Sequence, residues 1–260
     1  MSKNLFVSCI QTDLIWENKE LNLLNFEKKI QQLPKETQLV ILPEMFTTGF
    51  SMKPEHLSES MNEKSVKWLK IQSQKSGKII IGSIIVKELG KNYNRLLVAF
   101  PNGSIQKYDK RHLFRMGNEN AHYSKGDDKL IFTSDEWRIC PLICYDLRFP
   151  VWSRNKNDYD LLIYIANWPK SRSYAWKSLL VARAIENQAY VIGVNRIGSD
   201  GQGNEFSGDS MIIDPYGQII TQAEPFKEQF LNAELSLDEL NNFRTKFPVN
   251  FDVDEFKIVN

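Results

Sequence analysis

Cysteine and histidine are scarce in this chain, three of each in 260 residues. An odd number of cysteines, at positions 9, 140 and 144, makes no disulfide framework. Cys9 and Cys140 fall inside apolar, strand-like runs and read as packing residues. None of His56, His112 and His122 stands in a triad-like context. An excess of one charge is also missing, with 33 Lys+Arg against 32 Asp+Glu and a net charge of +1. That balance points away from nucleic acid and membrane surfaces and toward a small polar metabolite as partner. No stretch approaches the ~20 apolar residues needed to cross a bilayer, and no apolar signal core follows Met1. A reduced, cytoplasmic protein is the expectation. Linkers, low-complexity runs and internal repeats are absent as well, so residues 1–260 are expected to form a single domain.

The chain does contain alternating strand and helix patterns. Leu5–Ile10 reads as a strand, and Asn18–Leu33 as an amphipathic helix with Leu23, Phe26, Ile30 and Leu33 on one stripe, closed by Pro34. Leu39–Leu42 is a short, wholly apolar run, the mark of a strand buried on both faces. A second helix spans Ser60–Ser76 and stops at Gly77. Strands follow at Lys78–Val86, Tyr93–Phe100 and Ile105–Tyr108, the last two joined by a turn at Asn102-Gly103. Phe114–Asp128 lacks periodicity and reads as a long loop, a length that often carries function. Further strands are expected at Trp137–Ile143, Leu161–Ala166, Ala189–Val194, Met211–Ile213, Ile219–Thr221 and Phe230–Leu235. Helices are expected from near Val151, over Ser173–Asn187 and over Leu237–Lys246, with a glycine-rich loop at Gly198–Gly208. This order defines an α/β layered fold with mixed sheet.

Cys144 closes the Trp137–Ile143 run and precedes Tyr145-Asp146-Leu147-Arg148-Phe149-Pro150. A strand that ends abruptly at cysteine and turns into a helix presents its nucleophile on a sharp corner. A helix N-terminus behind it would lower the thiol pKa and offer N–H groups to an oxyanion. A single cysteine is just as often buried packing, so position alone does not decide. Glu44, in Leu-Pro-Glu after an apolar strand, is a candidate base, because burial moves a carboxyl group toward the range useful for proton transfer. It could equally cap a strand end. Lys110, in Tyr-Asp-Lys-Arg-His, would supply a fixed positive charge, or be a solvated turn residue. Glu44, Lys110, Cys144 and Asn167-Trp168 each follow a strand, and ligands of open α/β sheets bind at the carboxyl ends of strands. One shared cleft is the expectation.

Together, Leu-Pro-Glu44, Tyr-Asp-Lys110-Arg-His-Leu-Phe and Ile-Cys144-Tyr-Asp-Leu-Arg-Phe-Pro, in this order, resemble the nitrilase, or carbon–nitrogen hydrolase, superfamily. The resemblance continues through Ala166–Pro169 and Ala182–Gln188. It implies a four-layer αββα sandwich of two mixed sheets, commonly a homodimer, and a Glu44–Lys110–Cys144 triad. It also implies a second glutamate in the loop after the lysine, where Glu119 is the match. Glu44 would take the thiol proton, Cys144 attack an amide carbon, and Lys110 with the Tyr145 N–H hold the oxyanion. A thioester would then be hydrolysed, without metal or organic cofactor.

The Met45–Phe50 stretch, the Arg-Met-Gly-Asn-Glu loop and the Trp168-Pro169…Arg172…Trp176 segment look like the omega-amidase branch. That resemblance implies a 2-oxo acid amide of the 2-oxoglutaramate type, a substrate with a carboxylate at its far end. Arg148 and Arg172 are candidates to bind that carboxylate, and Phe46 and Trp168 to wall the pocket. An N-carbamoyl or aliphatic amide, a nitrile, a histidine-assisted peptidase and a non-catalytic metabolite-binding protein on the same fold are the alternatives.

Overall fold

The computed structural model describes residues 4–259. One sheet holds β1 (Asn4–Gln11), β2 (Leu39–Ile41), β3 (Ile79–Glu88), β4 (Lys91–Ala99), β5 (Ile105–Asp109) and β14 (Gln229–Ser236), in the order β14-β1-β2-β3-β4-β5. The other holds β6 (Phe132–Ser134), β7 (Trp137–Ile143), β8 (Leu161–Ala166), β9 (Tyr190–Asn195), β12 (Met211–Ile213) and β13 (Ile219–Gln222), in the order β13-β12-β9-β8-β7-β6. β10 (Ile197–Ser199) and β11 (Glu205–Ser207) form a separate hairpin inside the stretch that the sequence suggests is a glycine-rich loop. Both large sheets are mixed. Three parallel strands sit at the centre of each, β1-β2-β3 and β7-β8-β9, with antiparallel strands on either side.

The helices are α1 (Lys19–Gln31), α2 (Pro54–Leu57), α3 (Lys64–Ser76), α4 (Glu119–His122), α5 (Pro150–Ser153), α6 (Ser173–Asn187) and α7 (Leu237–Lys246). α1 begins where the Asn18 side chain accepts the Leu21 N–H, and α3 ends at Gly77, whose φ of +69° suits a residue without Cβ. Strand periodicity then sorts the first sheet's side chains. Leu5, Val7, Cys9, Leu39, Ile41, Ile79, Ile81, Leu96 and Val98 join one core with the second sheet. Ile10, Val40, Leu42, Ile80, Ile84 and Leu97 join another with Leu23, Phe26 and Ile30 of α1 and Val66 and Leu69 of α3. On the far side, α6 lies against β9, where a Cβ on Gly193 would come within 2.4 Å of Leu180 and 2.8 Å of Trp176. The layers are therefore helix, sheet, sheet, helix. Each buried Leu, Ile, Val or Phe contributes roughly 1.5–3 kcal/mol to holding them together.

Two local findings differ from the sequence reading. The stretch after Cys144 is a short 3-10 turn, Cys144–Arg148, followed by the four-residue α5, rather than a full helix from Val151. Pro150 and the exposed Val151 leave no apolar stripe long enough to dock a longer one. The Phe114–Asp128 loop contains a 3-10 turn, Arg115–Gly117, and the one-turn α4.

The topology places the reactive ends together. β2 runs parallel to β3, and two antiparallel steps bring β5 back into the same direction. Residues just past β2 and β5, Glu44 and Lys110, therefore emerge on one rim. β7 and β8 run parallel and release Cys144 and Asn167 side by side. Pro141, inside β7, is tolerated because β6 pairs only with Trp137–Ile139 and leaves that edge of β7 without a partner at Pro141.

Candidate active site

Lys110 lies between two glutamates. Its Nζ donates to Glu44 Oε1 at 2.9 Å and to the two carboxylate oxygens of Glu119 at 3.0 and 3.1 Å, and all three side chains are fully buried. Burial alone would lower the ammonium's pKa, but the charges of Glu119 and Glu44 outweigh it and hold Lys110 above its ordinary value. The neighbouring Asp109 does not compete for this cation, because Arg95 binds it at 2.6 and 2.9 Å. Burial pushes the Glu119 carboxyl up, Lys110 opposes that, and Glu44 adds to it.

The remaining carboxylate lone pairs are met by neutral donors. Asn94 Nδ2 donates to Glu44 Oε1 at 2.7 Å, and the Asn167 N–H to Glu44 Oε2 at 2.8 Å. The Phe114 N–H donates to Glu119 Oε2 at 2.6 Å. The loop carrying Glu119 closes on itself, since the Gly126 N–H donates to Lys110 O at 3.0 Å. A Cβ at Gly126 would sit 2.3 Å from Asp109 O, so glycine is what permits that return.

Cys144 occupies a corner. Its φ of +47° is a left-handed conformation that a non-glycine residue adopts only when its surroundings enforce it. Sγ lies 3.9 Å from Asn167 O. Burial, and then the negative charge of Glu44, push the thiol well above its ordinary value, with Lys110 opposing. This corrects the expectation that a helix N-terminus lowers it. Cys144 is itself the first residue of a single 3-10 turn, so no long helix dipole stands behind the sulfur. The site holds a neutral thiol with a proton acceptor beside it, rather than a resting thiolate.

A cavity of about 230 Å³ opens onto this cluster. Lys110, Cys144, Tyr145 and Asn167 form its floor, and Phe50, Phe114 and Trp168 supply apolar wall. Arg148 stacks 5.0 Å over the Trp168 ring and Arg172 5.2 Å over Phe114. Among the described residues neither guanidinium is paired with a carboxylate, although both line the cavity. Burial, reinforced by the nearby charge of Arg148, holds Arg172 below its ordinary value. Phe46 is not on this wall. It is fully buried behind the site, edge-on to Phe26 at 5.4 Å and against Trp68 at 5.7 Å, because β2 ends five residues earlier and the turn points it into the α1–α3 core. None of the three histidines lines the cavity. Among the described residues no group of three or more His, Cys, Asp and Glu side chains is arranged to hold a metal ion.

Sequence reasoning missed Asn94 and Phe50. Asn94 carried a signal, a polar residue inside the apolar run that continues as Leu96-Leu97-Val98, where a fully buried amide needs a partner. Phe50 lies 5.0 Å beneath the Lys110 ammonium, a contact that only the folded loop creates.

The carbon–nitrogen hydrolase model matches residues 6–245, and the chain belongs to that family of hydrolases acting on amide-type carbon–nitrogen bonds. Its relatives are informative about the branch. The omega-amidase YafV of Escherichia coli K12 is 45% identical over 254 residues, 98% of either chain. A 2-oxoglutaramate amidase of Bacillus subtilis is 36% identical over 252 residues, 95% of this chain and 96% of its own. Among solved structures, XC1258 of Xanthomonas campestris, a CN-hydrolase superfamily protein with an arsenic adduct in its active site, superposes with a TM-score of 0.96. It is 40% identical, over 98% of this chain and 99% of its own.

Proposed function

We propose that this chain is an omega-amidase that hydrolyses the terminal amide of a 2-oxo dicarboxylic acid monoamide of the 2-oxoglutaramate type. The observation that carries the reading is a single cavity lined by Cys144 and by Lys110, which is bonded to the buried Glu44, and by two guanidiniums that have no carboxylate partner among the described residues. In this reading Glu44 takes the Cys144 proton as Sγ attacks the amide carbon. Lys110 and the Tyr145 N–H stabilise the oxyanion. The C–N bond breaks as Glu44 returns the proton to the departing ammonia, leaving a thioester. Water, deprotonated by Glu44, attacks the thioester, and the thiol recovers its proton as the acid leaves.

Glu119 sets the position of Lys110 and of the substrate amide or the water. Arg148 and Arg172 bind the distal carboxylate, with Trp168 as apolar wall. The relatives named for omega-amidase and 2-oxoglutaramate amidase activity support this substrate class. The test is ammonia release from a panel of 2-oxoglutaramate, 2-oxosuccinamate, N-carbamoyl amino acids and short aliphatic amides. Preference for the first two supports the reading, and preference for a carbamoyl or uncharged amide overturns it.

We further propose that residues 1–260 act as one catalytic domain, which the family match over 6–245 supports. A cytoplasmic setting is supported by three free, buried cysteines, and no helix among the described residues is long and apolar enough to cross a membrane. Homodimerisation is supported by half-exposed apolar side chains grouped beside α6. Ile185 there is 53% exposed and closely approaches Gly217, next to Tyr216, which packs on Phe243 at 3.9 Å.

A further inference from the structure

Asp146 lies two residues past Cys144, is fully buried, and has no part in the mechanism above. Its four hydrogen bonds come from both sides of the site. Oδ2 accepts the Ile143 N–H at 3.0 Å, from the residue just before the nucleophile, and the Tyr108 hydroxyl at 2.7 Å. Oδ1 accepts the His112 N–H at 3.0 Å and faces His112 Nδ1 at 2.8 Å. Tyr108 and His112 stand two residues before and two after Lys110. One carboxylate thus ties the backbone that carries the thiol to the backbone that carries the ammonium.

The clamp is itself braced. Tyr108 Oη accepts from Trp152 Nε1 at 3.1 Å and from the Arg111 N–H at 3.2 Å, while the His112 ring stacks on Phe149 at 3.8 Å. Cys144 needs such support, because its left-handed backbone is disfavoured by its own side chain. A simple packing role would not require the anion to receive donors from two strand ends in two different sheets.

We infer that Asp146 is a positioning residue that fixes the separation of Cys144 Sγ and Lys110 Nζ by joining the ends of β7 and β5. This rests on the proposed roles of Cys144 and Lys110, without depending on which amide is the substrate. An ångström of error in such a site can cost about 100-fold in rate.

Asp146→Asn presents an N–H where a donor now points. Its kcat should fall by about 100-fold with KM within about twofold of the parent. Alkylation of Cys144 by iodoacetamide, which needs no substrate, should change as well, because the thiol shifts relative to Lys110 and the Asn167 carbonyl. Tyr108→Phe keeps the carboxylate and removes one donor, and should lower kcat by about tenfold with KM unchanged. If Asp146→Asn does not fold, Tyr108→Phe decides. A folded Asp146→Asn with kcat and alkylation both within about twofold of the parent, or Tyr108→Phe with unchanged kcat, would overturn the inference. If 2-oxoglutaramate is not turned over by the parent, the substrate proposal fails and the alkylation rate still tests Asp146.

Discussion

Replacing Lys110 by methionine keeps an unbranched side chain, one heavy atom shorter, and removes the charge from between two buried carboxylates. In the parent, Nζ stands 2.9 Å from Glu44 and 3.0 Å from Glu119, all at 0% exposure. Removing one partner of a buried ion pair costs roughly 3–5 kcal/mol, because the charge left behind is no longer compensated. Here two carboxylates lose the same cation, and only Asn94 and two backbone N–H groups remain to hold them. The Glu119 carboxyl, already raised by burial, rises further once the opposing charge of Lys110 is gone.

A carboxyl raised in the folded state above its unfolded value gives stability that is fully present below the unfolded value and lost as pH climbs through the folded one. Lys110→Met should therefore unfold at a lower temperature than the parent by a margin that is largest near pH 7–8 and shrinks toward pH 5. Calorimetric melts at half-unit pH steps measure this. Ammonia release should fall about 100- to 1,000-fold even where the variant is folded, the loss expected when one oxyanion donor is removed. A deficit in Tm that is flat with pH would show that Lys110 does not neutralise the two glutamates. Normal turnover would remove it from the oxyanion site.

Three further outcomes are expected. Because burial and the charge of Glu44 hold the Cys144 thiol well above its ordinary value, its alkylation by iodoacetamide should show no inflection near pH 8.5; a simple thiol titration there would contradict the buried sulfur beside a carboxylate. Arg148→Leu or Arg172→Leu should raise KM for 2-oxoglutaramate at least tenfold and leave a short uncharged amide nearly unaffected, since about 1.5–3 kcal/mol attaches to a charged hydrogen bond; equal effects on both amides would deny a carboxylate contact. Gly126→Ala, forced to within 2.3 Å of Asp109 O, should destabilise by about 1–3 kcal/mol and lower activity through the Glu119 loop, as urea melts beside assays would show; a neutral effect would mean the loop has room to relax.

Much of this architecture was legible in the residues because the signals were local. Apolar runs such as Leu39–Leu42 and Leu161–Ala166 could only be strands buried on both faces, and the polar residues directly after them marked the rim. What stayed hidden depended on the path of the chain between elements. Phe46 and Phe50 are both aromatics after β2, and no periodicity tells which one turns inward; Phe46 enters the α1–α3 core, while Phe50 reaches the cavity. The 3-10 turn after Cys144 escaped because so short an element has no repeat to read. Asn94 escaped because its partners are 50 and 25 residues away.

The central claim is that the Cys144 sulfur forms a covalent bond to the acyl group of the substrate. Acid-quenched mixtures of protein and 2-oxoglutaramate, digested and weighed by mass spectrometry, test it directly. The Cys144 peptide should gain the mass of the substrate less that of ammonia, and Cys144→Ala should gain nothing and release no ammonia. Ammonia release by Cys144→Ala at a rate near that of the parent would contradict the account.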